Sequence, residues 1–118
     1  MEKVIKIDNK EVKFKATAGT PRRYLSKYHR DMLRDLQDLS ETNKDGYNAE
    51  ALETFSRIAY IMAKQADPDN VPDDEDEWLD EFEMFSIYQV LPEIFAMWNV
   101  QTETQVKAKK NLVEAVGK

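Results

Sequence analysis

Cysteine is absent from the 118 residues, histidine occurs once, and glycine only three times. Without cysteine there are no disulfides, no thiolate metal sites and no cysteine nucleophile, which fits a reducing compartment such as the cytoplasm. The three glycines, Gly19, Gly46 and Gly117, are too scattered to make a phosphate-cradling loop. Any histidine-based metal site or Ser/His/Asp triad must be built on His29, which falls on a predicted helix between Tyr28 and Arg30. A boundary histidine is the simpler account. The opening MEKVIKIDNK alternates charged and apolar residues, so neither a signal peptide nor a membrane anchor is expected there.

What is abundant is charge, at 34% of residues against 42% hydrophobic, the balance of a soluble globular domain toward its charged end. A chain of this length is one domain able to bury roughly two-thirds of its unfolded surface. The net charge of -6 hides an asymmetry. Residues 1 to 64 carry thirteen Lys or Arg against ten Asp or Glu, whereas residues 65 to 106 carry twelve acids and no base. Residues 107 to 118 return to four Lys against Glu114. Two fields of opposite sign bear on solubility and partner choice rather than on fold.

Period-two alternation over residues 3 to 16 predicts a β-hairpin turning at Asp8-Asn9-Lys10, with Ile5, Ile7, Val12, Phe14 and Ala16 inward and Val4 outward. Thr20-Pro21 signals a helix start, and Leu25, Tyr28, Met32, Leu36 and Leu39 form the stripe of one helix over about 21 to 40. A loop with an Asp-Gly turn spans 41 to 47. Asn48 then caps a second helix, 48 to 66, whose face reads Leu52, Phe55, Ile58, Ala59, Met62 and Ala66. The proline-bounded stretch 67 to 72 ends it, and a short acidic helix is expected over 74 to 83.

The most apolar run is Phe85 to Trp98, FSIYQVLPEIFAMW, around which the chain reads as organised. Ile87, Val90, Leu91, Ile94, Phe95 and Trp98 share one helical face of a helix over 86 to 99, Ser86 and Gln89 form a candidate capping box, and Pro92 should kink it. Residues 101 to 118 read as a flexible polar tail, with Leu112, Val113 and Val116 open to a short amphipathic turn ordered on binding. The fold expected is α+β: a hairpin packed on a small bundle of about four helices, in one domain over residues 1 to 100.

No constellation carries catalysis. The loops around Asn43, Asp45 and Gly46 and over Asp67 to Trp78 lack the glycine or the closing glutamate that an EF-hand needs. The acids Asp73 to Glu77 are alike and solvated, unlike the paired carboxylates of a glycosidase, though such a surface suits a basic partner. Arg22, Arg23, Lys27, Arg30 and Arg34, interleaved with Tyr24 and Tyr28, resemble a nucleic-acid stripe. Asp31, Asp35 and Asp38 dilute it, so a solvated helix face is favoured. The aromatic surplus is the remaining signal: Trp78, Phe82, Phe85, Tyr88, Leu91, Phe95 and Trp98 are either core or a protein-binding surface.

Three stretches taken in order, EVKFKATAGTPRRY, IAYIMAKQADPDNVPDDEDEWLDEF and FSIYQVLPEIFAMW, resemble the tail assembly chaperones of long-tailed bacteriophages and prophages of Gram-positive bacteria. The resemblance spans most of residues 3 to 100 and involves no catalytic signature. It implies a non-enzymatic chaperone without cofactor or metal, working in the cytoplasm of the bacterial host and absent from the mature virion. Its partners would be the hydrophobic helical tape measure protein, the tail tube protein and further copies of itself. It also implies a longer form made by frameshifting, for which Lys109-Lys110-Asn111 could be encoded by a slippery run. The competing expectation, from the acids Asp73 to Glu83, is an acidic decoy or regulator of a basic, nucleic-acid-binding target.

Overall fold

The computed structural model describes residues 1 to 42 and 48 to 98. The expected 41 to 47 loop, apart from its first two residues, and the expected tail with its Leu112, Val113 and Val116 turn lie outside them. Strands β1 (Glu2–Ile7) and β2 (Lys10–Lys15) pair antiparallel with Ile5 opposite Val12 and Ile7 opposite Lys10. The connection is two residues, Asp8 and Asn9, at φ 52° and 67°. Such a turn needs the left-handed region at both positions, which Asp and Asn tolerate best among residues with a side chain. Ile5, Ile7 and Phe14 are buried on one face; Val4 on the other is 50% exposed. There Glu2 faces Lys15 and Lys6 faces Glu11, opposite-charge pairs that suit a solvated surface.

The expected helix over 21 to 40 is two helices, α1 (Gly19–Tyr28) and α2 (Met32–Thr42). His29 adopts φ 58° and its amide donates to the Leu25 carbonyl at 2.8 Å, a left-handed helix terminus. Asp31 then restarts the chain, its Oδ1 accepting the amides of Leu33 at 3.0 Å and Arg34 at 3.3 Å. The break changes which face is inward: Tyr24 is fully buried, while Leu25, expected in the core stripe, is 54% exposed. Thr20 is not the cap. It lies buried, hydrogen-bonded to Gln65, and the Thr17 hydroxyl accepts the Gly19 amide at 3.2 Å instead.

Helix α3 (Ala49–Ala66) is the hub, packing on β2, α1, α2 and α4 and on the turn after α4. Asn48 caps it as expected, Oδ1 accepting from the Ala51 amide at 2.8 Å. Phe55, Ile58, Ala59, Met62 and Ala63 are buried, as is Tyr60 on another side, so α3 is covered nearly all round. The organising element is therefore this helix rather than the 85 to 98 run.

Helix α4 (Glu75–Leu79) is shorter than the expected 74 to 83, because Glu81 and Phe82 donate three residues back and tighten the chain out of α geometry. The last expected helix is a 3-10 turn (Ser86–Val90) followed by α5 (Leu91–Met97). Pro92 sits in the first turn of α5, where its missing amide costs nothing, so the kink is a boundary between two helices. The Ser86/Gln89 capping box does not form; no side chain caps the turn. The α+β architecture, a hairpin on a small helical bundle, is otherwise as expected.

Candidate functional site

The seven residues singled out for partner binding divide by burial. Trp78, Leu91 and Phe95 belong to the core. Trp78 meets the Tyr60 ring edge-on at 5.7 Å and Phe82 at 5.1 Å, and Phe95 is sealed beside Ile94 and Met97 in the buried cluster. Phe82, Tyr88 and Trp98 are half-buried, the Trp98 indole N–H donating to Met62 Sδ at 3.2 Å. Only Phe85 of the seven stands out, 60% exposed, and beside it Met84 is 81% exposed. Core packing takes the residues at helical spacing; the two in the link between α4 and the 3-10 turn are left outside. Met84 is absent from the sequence-derived set because it fell between two expected helices, on no face.

This link is bolted to the hairpin. Asp8, forced outward by the two-residue turn, accepts the Glu83 amide at 2.8 Å through Oδ2 and the Ser86 hydroxyl at 2.6 Å through Oδ1. The Ser86 bond, and after it the Glu83 amide, hold the Asp8 carboxyl below its ordinary range. Lys10 donates to the Glu81 carbonyl at 3.0 Å, lies 4.0 Å from the Glu81 carboxylate and stands 5.8 Å over the Phe82 ring. Met84 and Phe85 are thus presented between two fixed points, so a partner binding them meets less ordering cost than on a free loop. Sequence reasoning offered no sign of these bonds, which join residues more than seventy apart.

The acids beyond α3 are anchored from the helix. Lys64 donates to the carbonyls of Pro68 at 3.0 Å and Val71 at 2.6 Å and pairs with Asp73 at 2.7 Å, and Tyr60 donates to the Pro72 carbonyl at 2.6 Å. Lys64 holds the Asp73 carboxyl low. Glu75 accepts from the Tyr28 hydroxyl, and burial together with that bond pushes the Tyr28 phenol up. The run expected to be uniformly solvated therefore has two members tied to the bundle.

A second polar cluster lies where α1 meets α2. Asp35 is buried and takes a two-pronged bond from Arg30, at 2.8 Å through Nε and 2.8 Å through Nη2, and a third from Tyr24 at 2.6 Å. Burial pushes the Asp35 carboxyl up, the bonds from Arg30 and Tyr24 outweigh it, and the result lies below the ordinary value. Arg57 bonds Glu53 and Thr54 at 3.0 and 3.1 Å and lies 5.9 Å over the Tyr28 ring, its Nε buried without a partner among the described residues. A depression of about 180 Å³ beside the Arg30–Asp35 pair is lined by Asp38, Asn48, Glu50 and Thr54 as well, and is polar rather than an apolar groove. With Asp35 holding three hydrogen bonds from Arg30 and Tyr24, the cluster is structural glue between α1 and α2.

His29 is exposed and terminates α1. Among the described residues no group of three or more His, Asp or Glu is placed to hold a metal ion, and no helix is long and apolar enough to cross a membrane. No protein-family model, curated protein or solved structure matches the chain.

Proposed function

We propose that the chain is a non-enzymatic binding protein that holds a hydrophobic, helical client during assembly of a long phage tail, the tape measure protein being that client and tail tube subunits its later partners. The observation that carries the reading is the adjacent pair Met84 and Phe85, strongly exposed on a link fixed by Asp8 and Lys10. Monomeric proteins scatter apolar residues singly, whereas a presented aromatic beside a methionine suits a partner surface that must be adaptable. The sequence resemblance supplies the client's identity, the cytoplasmic setting and the absence from the finished virion.

Titrating synthetic segments of a tape measure protein against wild type and Met84→Ala/Phe85→Ala tests this. The double variant should bind at least about tenfold more weakly, the order of one good apolar contact, with an unchanged thermal melt. Equal affinity in the folded variant removes the surface from consideration. The acidic decoy remains the second reading, supported by the exposed carboxylates of Asp74, Asp76, Glu77 and Asp80. Salt separates them, since a charge-driven complex weakens steeply as salt rises and an apolar one does not.

A further inference from the structure

Six large apolar residues are exposed among the described residues, and their charged surroundings differ. Val4 shares the outer face of the hairpin with Lys6, Lys13 and Lys15, and Met1 carries the terminal ammonium. Leu25 projects from α1 among Arg22, Arg23 and Lys27. Leu33 stands alone in a shallow depression with Asp31, Arg34, Gln37, Asp38 and Glu41, where Asp31 already caps α2. Only Met84 and Phe85 are neighbours in the chain, and the charged residues just before them, Asp80, Glu81 and Glu83, are all acids. Lys10 engages Glu81, whereas Asp80 and Glu83 are exposed and have no cationic partner among the described residues. An apolar centre with an acidic rim suits an apolar segment rich in lysine.

That complement is present in the same chain. Residues 107 to 118 carry Lys107, Lys109, Lys110 and Lys118 against Glu114 alone, with Leu112, Val113 and Val116 as their large apolar residues. The fold delivers the chain to the side where it is needed. The Phe85 ring lies 6.3 Å from Tyr88, whose ring lies 5.9 Å from Phe55 on α3. Trp98 is tied to Met62 on the same helix, two turns or about 10 Å along from Phe55. The 3-10 turn and α5 that separate Phe85 from Trp98 together span no more than about 25 Å. From Trp98 to Lys107 the chain can reach up to about 30 Å.

We infer that residues 107 to 118 of the same chain cover the Met84–Phe85 surface when no client is bound, Leu112, Val113 and Val116 meeting the apolar pair and the lysines meeting Asp80 and Glu83. A segment tethered this closely acts at an effective concentration of about millimolar order, so a contact too weak to hold a separate peptide suffices. Capture of a client then requires the segment to leave, which sets a threshold that weakly apolar sequences do not pass. That consequence rests on the client reading; the docking itself is tested with no client present, so each can fail alone.

Because the chain has no cysteine, Glu114→Cys accepts a single spin label, and magnetic resonance of the full chain reads where that label lies. In isotope-enriched protein at low salt the label should broaden the Met84 methyl and the Glu83 and Phe85 amides, and added salt should remove the broadening. Lys107→Glu/Lys109→Glu/Lys110→Glu and Leu112→Ser/Val113→Ser, each in the labelled chain, should abolish it. Asp80→Lys/Glu83→Lys should abolish it as well, and should restore it when combined with the lysine-to-glutamate variant. Should the melt of that surface variant differ from wild type, the two segment variants decide. A mixture of spin-labelled protein of natural isotope content with label-free enriched protein should show no broadening, because the contact lies within one chain. Broadening in that mixture, broadening centred on Leu33 instead of Met84, or broadening that survives the lysine reversal overturns the inference, as do Met84 and Phe85 signals that the label leaves sharp.

Discussion

Asp35 is the one charged residue that is buried among the described residues, a carboxylate accepting three hydrogen bonds from Arg30 and Tyr24. Because its folded pKa lies below the ordinary 3.8, it contributes stability that is present above that value and lost as pH falls through the folded one. Denaturant unfolding followed from neutral pH into acid should therefore show a loss below about pH 4. In Asp35→Asn that acid limb should flatten, and at neutral pH the variant should be about 1 to 3 kcal/mol less stable, since the Tyr24 hydroxyl and the Arg30 fork lose a charged acceptor. An acid limb of unchanged steepness would show that other carboxylates dominate it. Tyr24 and Tyr28 act in the opposite direction. Both are raised above 10.0 by burial and by their carboxylate partners, so what they contribute is present below that value and is lost as pH rises. Tyrosinate absorbance from these two should appear only together with alkaline unfolding. Asp8 is exposed, and its bonds to Glu83 and Ser86 act locally: Asp8→Gly, which keeps the left-handed turn and removes the carboxylate, should abolish exchange protection of the Glu83 amide while leaving the melt of the bundle unchanged.

The elements were legible where local signals agreed with packing and illegible where a backbone reversal hid among good helix formers. Alternation and the Asp-Asn turn specified the hairpin, and Asn48 with its periodic apolar face specified α3. The stripe drawn through Leu25, Tyr28 and Leu36 looked continuous, yet His29 turns left-handed and Asp31 caps a new helix. The overlooked sign was Asp31, a capping residue inside an apolar pattern. Substitution separates the two descriptions by sign. In a continuous helix His29→Gly would cost about 0.3 to 0.5 kcal/mol, whereas at this left-handed terminus it should stabilise by up to about 1 kcal/mol, glycine having no Cβ to crowd. Burial divides the sequence-derived surface for a related reason: apolar spacing predicts which residues share a face, and Trp78, Leu91 and Phe95 lie on faces that pack, whereas Phe85 does not. Trp78→Ala and Phe95→Ala should each cost about 3 to 5 kcal/mol as buried aromatics, while Met84→Ala should stay within about 0.5 kcal/mol. Equilibrium unfolding of the three variants ranks core against presented residues, and a Met84→Ala loss comparable to Trp78→Ala would return Met84 to the core.

For the molecule as a whole, the charge is unevenly placed along the chain, and the acidic stretch should cost the folded state more than its ion pairs return. Ten carboxylates lie between residues 67 and 83 with no base among them, a run of like charge whose members repel one another. Two of the run's acids have ion-pair partners among the described residues, Glu81 with Lys10 and Asp73 with Lys64; these pairs, like Lys3–Glu93 and Arg57–Glu53 elsewhere, join at least one partly exposed partner and contribute about 0 to 1 kcal/mol apiece. Arg30–Asp35 has one buried partner and is screened less. Salt thus relieves more repulsion than it removes attraction, and the melting temperature of dilute protein should rise between low and physiological ionic strength, most of the change falling where the screening length drops from about 30 to 8 Å. Calorimetry at two fixed protein concentrations checks this and keeps self-association apart, because screening acts equally at both whereas association raises the melt more at the higher one. A melting temperature that falls with salt at both concentrations would mean that the ion pairs outweigh the crowded acids. The acidic half would then be a source of stability rather than of repulsion.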